Sequence, residues 1–189
     1  MVSPTEPALF VYCEGATEAE FIKDLRAHWR IPQRQVVVVG ACGVPGSVVG
    51  TARKKQRELR ERDAEVWAVF DRDEHPSWNA AIELAGRLGI RLAASNPCFE
   101  LWAILLYTEQ WAHLERHEAQ HRLRALHAGY HHERSPYLEL GLVLPGIADA
   151  RRRCEGLRRR AEADGDAWRN PTSGVHALVD AIHRRVPTA

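Results

Sequence analysis

The 189-residue sequence predicts an α/β fold in which a parallel sheet of about four strands is covered by helices. Short apolar runs alternate four times with longer segments of helical character as far as Leu106. These runs are nearly continuously apolar, which is typical of strands buried on both faces. Beyond Leu106 the pattern is helical only, so we expect a core over residues 1–110 and a helical C-terminal part over 111–189 packed on it.

The first strand is predicted over residues 8–13, ALFVYC, an apolar run too short for a helix. Thr17 is placed to cap the next helix, with Glu20 at the capping-box spacing. The second strand is the β-branched run QVVVVG, 35–40. The remaining core elements are a helix from Ser47 to about Arg62, a strand over 65–73 that ends on acids, a helix from Pro76 to Leu88, a strand over 90–95 and a helix from Pro97.

Composition excludes several classes of protein. The net charge is +1, so any binding of nucleic acid must come from local basic patches. No apolar run is long enough to span a bilayer and no basic-then-apolar leader is present, so we expect a cytoplasmic protein. The four cysteines lie far apart without a Cys-x-x-Cys pair, which argues against a zinc knuckle or dithiol motif.

Acidic residues end two of the predicted strands. Glu14 follows the first strand, and Asp71 and Asp73 end the third. Because the carboxyl ends of neighbouring parallel strands lie at one edge, these carboxylates should meet there. Asp71 and Asp73 are two residues apart and face the same side in extended chain, whereas Arg72 points elsewhere. Converging oxygen ligands favour Mg²⁺ or Mn²⁺ over zinc.

Three neighbouring residues extend this hypothesis. Gly15 has no Cβ, so backbone or a phosphate can come close to Glu14. Glu18 either reaches the same site or only complements the helix dipole. Glu100 falls in the first turn of the helix from Pro97 and either faces the site or belongs to an ordinary helix start. Each acid also has a purely structural interpretation, as a solvated strand end or a helix cap.

The segments EGATE, FDRDEHP and SNPCFELWAILL, in that order, resemble the RloB-like family, whose core is similar to the TOPRIM fold of OLD-type nucleases. The segment WRNPTSGVHALV, 168–179, resembles the family's C-terminal motif and is the only reason to assign a role to Asn170. The resemblance implies metal-dependent phosphodiester chemistry in prokaryotic defence against foreign DNA. It matches Glu14 to the glutamate after the first TOPRIM strand, and Asp71 and Asp73 to the paired aspartates of the third.

The resemblance departs from the family pattern at Tyr107, where relatives usually carry a histidine. A step performed by that histidine would be absent here, although a tyrosine hydroxyl can still hydrogen-bond a phosphate. The expected metal ligands are Asp71 and Asp73, with Glu14 as a ligand or as the general base or acid. Glu18 and Glu100 are further candidate ligands.

We therefore expect a Mg²⁺- or Mn²⁺-dependent nuclease that acts on DNA or RNA. The alternative is a metal-binding, nucleic-acid-sensing subunit that does not cleave. The segment GVPGSVVGT lacks the glycine-lysine pair of a P-loop, whereas relatives of the OLD type carry an ATPase. A separate ATPase partner is therefore a hypothesis, and an oligomer is compatible with the sequence.

Two other patterns suggest binding sites, one for zinc and one for a phosphate backbone. HEAQH, 117–121, spells a zinc-peptidase motif with His117 and His121 on one helical face, but its surroundings are charged and no clear third ligand follows. Basic residues cluster at Arg53, Lys54 and Lys55 and in RRRCEGLRRR, 151–160. Arg151 and Arg158, seven residues apart, predict a stripe suited to a phosphate backbone, whereas the plainer interpretation is a solvated helix surface.

Overall fold

The computed structural model describes residues 8–59, 64–72 and 75–187. Its main sheet is formed by four strands, β1 (Ala8–Cys13), β2 (Val36–Val39), β3 (Ala64–Val69) and β4 (Arg91–Leu92). All neighbours pair in parallel, in the order β2-β1-β3-β4. The predicted α/β class with a four-stranded parallel sheet is confirmed.

Helices cover both faces of this sheet. Their bounds are α1 (Ala16–His28), α2 (Pro45–Leu59), α3 (Trp78–Leu88), α4 (Glu100–Leu105), α5 (Arg116–Leu126), α6 (Leu140–Val143), a 3-10 turn at Leu144–Gly146, α7 (Ile147–Ala163) and α8 (Val175–His183). Strand β1 sends Leu9, Val11 and Cys13 into one core and Tyr12 into the other, as the period of two in a strand requires. Helices α1, α4, α7 and α8 contribute to the first core, and α2 and α3 to the second.

Several helix starts differ from those predicted. Helix α1 begins after an extended Gly15 and its N-cap makes no side-chain hydrogen bond, so the predicted cap at Thr17 is wrong: that residue lies within the first turn. Helix α2 starts at Pro45, which places Ser47 inside it. Its described part ends at Leu59, and the predicted end at Arg62 lies outside the described residues.

The predicted fourth strand is divided in two. After β4, residues Ser95–Asn96 (β5) pair antiparallel with Thr172–Ser173 (β6), and α4 therefore starts at Glu100 rather than Pro97. The expectation that the chain beyond Leu106 is helical only is wrong at β6. A two-residue strand has no detectable period, so its pairing is set by tertiary contacts. Ser95 also bridges to Asp71 in parallel, which joins the β5–β6 pair to the chain that continues from β3.

Gly146 fixes the approach of the C-terminal helices to the core. A Cβ at this position would overlap the carbonyl oxygen of Leu106, so a larger residue would push the start of α7 away from the end of α4. Within the described ranges, no helix has both the length and the apolar character needed to cross a membrane.

Candidate active site

A cavity of about 150 Å³ lies at the carboxyl edge of β1 and β3. Four carboxylates from three segments of the chain line it: Glu14 after β1 and Glu18 in the first turn of α1, Asp71 after β3, and Glu100 at the start of α4. The structure thus brings together four of the five acidic residues that the sequence singles out. The fifth, Asp73, lies outside the described residues.

Glu14 connects the ends of the two central strands. Strands β1 and β3 end level with each other, and the Glu14 amide donates to the carbonyl of Val69 at 2.9 Å. Its carboxylate accepts a hydrogen bond from the Asp71 amide at 3.0 Å, and its other oxygen lies 3.2 Å from Nε2 of His75. These contacts hold the carboxylate in place at the cavity wall. They also give it a structural role, through contacts with the protein rather than as the solvated strand end that the sequence suggested.

Glu18 packs against Gly15. It is buried, and one of its carboxylate oxygens lies 2.8 Å from the position that a Cβ on residue 15 would occupy. The sequence suggested that Gly15 leaves room for backbone or a phosphate beside Glu14. In the structure, the group that uses this room is the carboxylate of Glu18.

Glu100 is buried yet ionised. Tyr130 donates its hydroxyl proton to Oε1 of Glu100 at 2.6 Å, and Nδ1 of His132 lies 3.0 Å from the same oxygen. Burial alone would raise the pKa of Glu100, but hydrogen bonds from His132, Tyr130 and Cys98 outweigh burial and lower it to about 2. In turn, the hydrogen bond to Glu100 raises the pKa of His132. Of the two interpretations of Glu100, the structure supports the one in which this residue faces the cavity.

Basic side chains reach the cavity from two residues that the sequence did not single out. Arg116, at the start of α5, and His132, in the loop that follows α5, both line the cavity. Both residues reach the cavity only through tertiary packing, so local patterns did not assign them to it. The one available signal was the unusual density of Tyr and His in YHHERSPY, 130–137.

The predicted basic residues lie elsewhere. Lys55 on α2 pairs with Glu58 at 3.3 Å, Arg151 on α7 pairs with Asp180 at 2.7 Å, and Arg158 pairs with Glu162 at 2.5 Å. None of the five residues proposed for phosphate contact, Arg53, Lys54, Lys55, Arg151 and Arg158, lines the acidic cavity. Their binding of nucleic acid stays a prediction.

The zinc interpretation of HEAQH receives no support. His117 and His121 are exposed on α5, and Glu118 accepts the amide proton of Glu115 in a capping box. Among the described residues, no three His, Cys, Asp or Glu side chains converge as a metal site would require. The same holds for the carboxylates of the acidic cavity, among which Asp73 is not counted because it lies outside the described residues.

Tyr107 makes its hydrogen bond away from the cavity. Its hydroxyl lies 2.6 Å from Nδ1 of the buried His127, whose Nε2 accepts the Glu139 amide proton at 3.0 Å. Since Nε2 is an acceptor and burial lowers the pKa of His127, the neutral ring carries its proton on Nδ1 and donates it to the tyrosine oxygen. Tyr107 is not among the residues that line the cavity, so its expected contact with a phosphate there is not supported.

Comparison with known proteins identifies a family. A family model described as RloB-like protein matches residues 9–182 of the chain, which includes every described residue of the cavity. No curated protein and no solved structure matches.

Proposed function

The chain belongs to the RloB-like family, and we propose that it is a Mg²⁺- or Mn²⁺-dependent nuclease whose reaction takes place at the acidic cavity. One observation carries this proposal: four carboxylates from three segments of the chain line a single cavity of about 150 Å³ at the carboxyl edge of a parallel sheet. Carboxylates that lie close together repel one another, and a bound cation relieves that repulsion. The TOPRIM-like core and the role in prokaryotic defence belong to the same proposal and rest on the resemblance of the sequence motifs.

The donor set suits a hard divalent ion. Mg²⁺ is commonly bound by one or two carboxylates, with water and substrate phosphate oxygens completing its coordination. Glu14 and Asp71, at the ends of neighbouring strands, meet this requirement, and Asp73 is the proposed third ligand. Glu18 and Glu100 complete the negative lining. A bound ion would supply charge stabilisation for the phosphate under attack.

The other residues have roles that follow from their contacts. Glu14, fixed by the Asp71 amide and His75, is placed to take a proton from water or return one to a leaving oxygen. Arg116 and His132 carry the donors that suit the non-bridging oxygens of a phosphate. Glu100 positions His132 through the hydrogen bond to Nδ1, which leaves Nε2 of that ring for a ligand.

Cleavage of labelled DNA and RNA, single-stranded and duplex, tests the proposal in Mg²⁺, Mn²⁺ or EDTA. We expect metal-dependent cutting that falls at least about a hundredfold in Asp71→Asn and in Glu14→Gln, because each change removes a charged group from the reaction. Glu83→Gln is the matched control, since Glu83 is an exposed acid on α3 paired with Arg87. Cutting at the wild-type rate in Asp71→Asn would contradict the assignment of the site.

The alternative function is a sensing subunit that binds metal and nucleic acid without cleaving. The absence of three converging ligands in the described ranges does not distinguish it from the nuclease, because both bind metal. Folded wild-type protein that binds nucleic acid in EDTA but cuts nothing in either metal would support this alternative. A separate ATPase partner belongs to both proposals, and purification from the native operon without a companion would count against it.

A further inference from the structure

We propose that a groove beside the acidic cavity binds the sugar–phosphate backbone of the nucleic-acid substrate; this inference rests on the proposed nuclease function. The groove has a volume of about 510 Å³, and its lining includes Arg72, Asn96, His113, Arg116, His117 and Asn170. It involves none of the basic residues for which the sequence suggested phosphate contacts.

Three segments of the chain contribute to both the groove and the cavity. Asp71 lines the cavity and the next residue, Arg72, lines the groove. Further along, Asn96 and Pro97 line the groove, whereas Phe99 and Glu100 line the cavity. Arg116 lines both. The two depressions therefore adjoin. A nucleic-acid strand bound in the groove would continue into the cavity.

The charge of the groove is opposite to that of the cavity. Arg72 is exposed, and no residue in the described part of the chain forms an ion pair with its guanidinium. Arg116 adds a second guanidinium to the lining, and His117 is exposed beside it. Two guanidinium groups along one depression suit the non-bridging oxygens of successive phosphates, with which arginine forms paired hydrogen bonds.

The one carboxylate in the groove lining is already engaged. Glu115 caps α5 by accepting the amide proton of Glu118, and its Oε1 lies 2.6 Å from Nε2 of His113. The positive end of the helix dipole further offsets its charge. The acid of the groove is therefore engaged within the protein, and the lining carries two guanidinium groups, those of Arg72 and Arg116.

Two asparagines hold the walls of the groove in place. Asn96 donates to the carbonyl of Trp168 at 2.6 Å. Asn170 accepts the Leu114 amide proton at 3.0 Å and donates to the Leu114 carbonyl at 2.9 Å. Both amides are thus used within the protein, and the ligand contacts fall to the guanidinium and imidazole groups. Contacts of this kind provide affinity for the backbone without reading sequence.

Binding of short fluorescein-labelled oligonucleotides, measured by anisotropy in EDTA at several salt concentrations, tests the proposal without cleavage. We expect Arg72→Ala to weaken binding roughly fivefold and to reduce the salt slope by about 0.7 for single strands, as loss of one phosphate contact predicts. Arg72→Glu should weaken binding further. Single-stranded DNA, duplex DNA, single-stranded RNA and duplex RNA are measured separately, so that the preferred type of nucleic acid is identified. Arg87→Ala, an exposed arginine on α3, is the control.

The possible outcomes test binding at the groove and the nuclease function separately. Unchanged affinity and salt slope in both Arg72 variants would contradict binding at the groove. A loss of binding in Lys54→Ala, with normal binding in the Arg72 variants, would contradict it too. If binding at the groove is contradicted, metal-dependent cutting that is lost in Asp71→Asn would still support the proposed nuclease function. Conversely, weaker binding by Arg72→Ala in a protein that cuts nothing would support the groove and contradict the nuclease. In an active protein, Arg72→Ala should raise KM more than it lowers kcat.

Discussion

At the scale of single residues, Glu100 depends most on its surroundings. An ionised carboxylate is costly to bury unless hydrogen bonds replace its water. Glu100 receives them from Cys98, two residues before it, and from Tyr130 and His132, about thirty residues later. These contacts keep the carboxylate charged and tie the start of α4 to the loop that follows α5. The charge at the cavity wall is therefore maintained by residues outside the acidic motifs.

Tyr130→Phe tests this dependence. We expect the free energy of unfolding at neutral pH to fall by about 1–3 kcal/mol, because a buried charge loses one donor. The folded-state pKa of Glu100, about 2, lies below its ordinary value of 4.5, so its stabilising contribution is complete above pH 4.5 and is lost as pH falls toward 2. The variant should have a raised Glu100 pKa and lose less stability on acidification.

Urea unfolding at neutral and acidic pH measures both effects of Tyr130→Phe. Tyr137→Phe is the matched control because Tyr137 is 52% exposed, and it should leave the unfolding curves unchanged. Equal midpoints for wild type and Tyr130→Phe at every pH would refute the role assigned to this hydroxyl.

At the scale of secondary-structure elements, the short strand β6 anchors the C-terminal segment to the sheet edge. Ser95 pairs with Ser173 across the β5–β6 ladder, their hydroxyl oxygens lie 3.1 Å apart, and Ser95 also bridges to Asp71. Just before β6, Asn170 bonds both backbone groups of Leu114, two residues ahead of α5. The C-terminal segment therefore sets the position of Arg116 relative to the cavity.

Asn170→Ala should lower the free energy of unfolding by about 1–3 kcal/mol, since both backbone groups of Leu114 lose their partner. It should also weaken oligonucleotide binding, because the start of α5 is no longer fixed. Urea unfolding and anisotropy measure the two effects. Asn79→Ala, at an exposed position on α3, should show neither. A variant with normal stability and normal affinity would mean that the Leu114 contacts are dispensable.

At the scale of the whole molecule, the net charge of +1 hides a local separation of charge. Carboxylates line the cavity, guanidinium groups line the groove, and arginines on α7 are engaged by acids such as Asp180 and Glu162. Two buried histidines, His127 and His176, lie outside both depressions. Burial lowers the pKa of each, so the folded protein keeps both rings neutral where the unfolded chain takes up protons.

Stability should therefore fall as pH drops below about 6.5, the unfolded value, until the folded-state pKa values are reached. His132 acts in the opposite sense, because its raised pKa stabilises the fold at low pH and that contribution is lost as pH rises through the folded value. The double variant His127→Gln/His176→Gln should flatten the acid decline relative to wild type. Urea midpoints between neutral and mildly acidic pH report the slope, whatever the absolute stability of the variant.

His28→Gln is the control for this titration, because His28 is exposed at the end of α1. Its slope should equal that of the wild type. An acid decline that is as steep in the double variant as in the wild type would show that other groups cause it.

The sequence predicted those parts of the fold that local patterns determine. Continuous apolar runs indicated the strands of the parallel sheet, and the positions of Glu14 and Asp71 at strand ends predicted that they would lie close together. The sequence did not predict the roles of Tyr130, His132 and Arg116. Each lies more than fifteen residues from Glu100 in the chain and is brought near the cavity by tertiary packing. Helical spacing correctly placed Arg151 and Arg158 on one helix, whereas their contact with phosphate stays a prediction, and the acid that pairs with Arg151 lies on another helix.

The adjacency of Asp71 and Arg72 has a consequence for how this chain can change over evolution. Neighbouring residues in extended backbone face opposite ways, so shifting the register by one residue would exchange their environments. The guanidinium would then enter the acidic cavity and the carboxylate would enter the basic groove. Substitutions at either position alter one depression at a time, whereas a single-residue insertion or deletion between Val69 and Arg72 would reverse the polarity of both. We expect the length of this segment to tolerate far less variation than its composition.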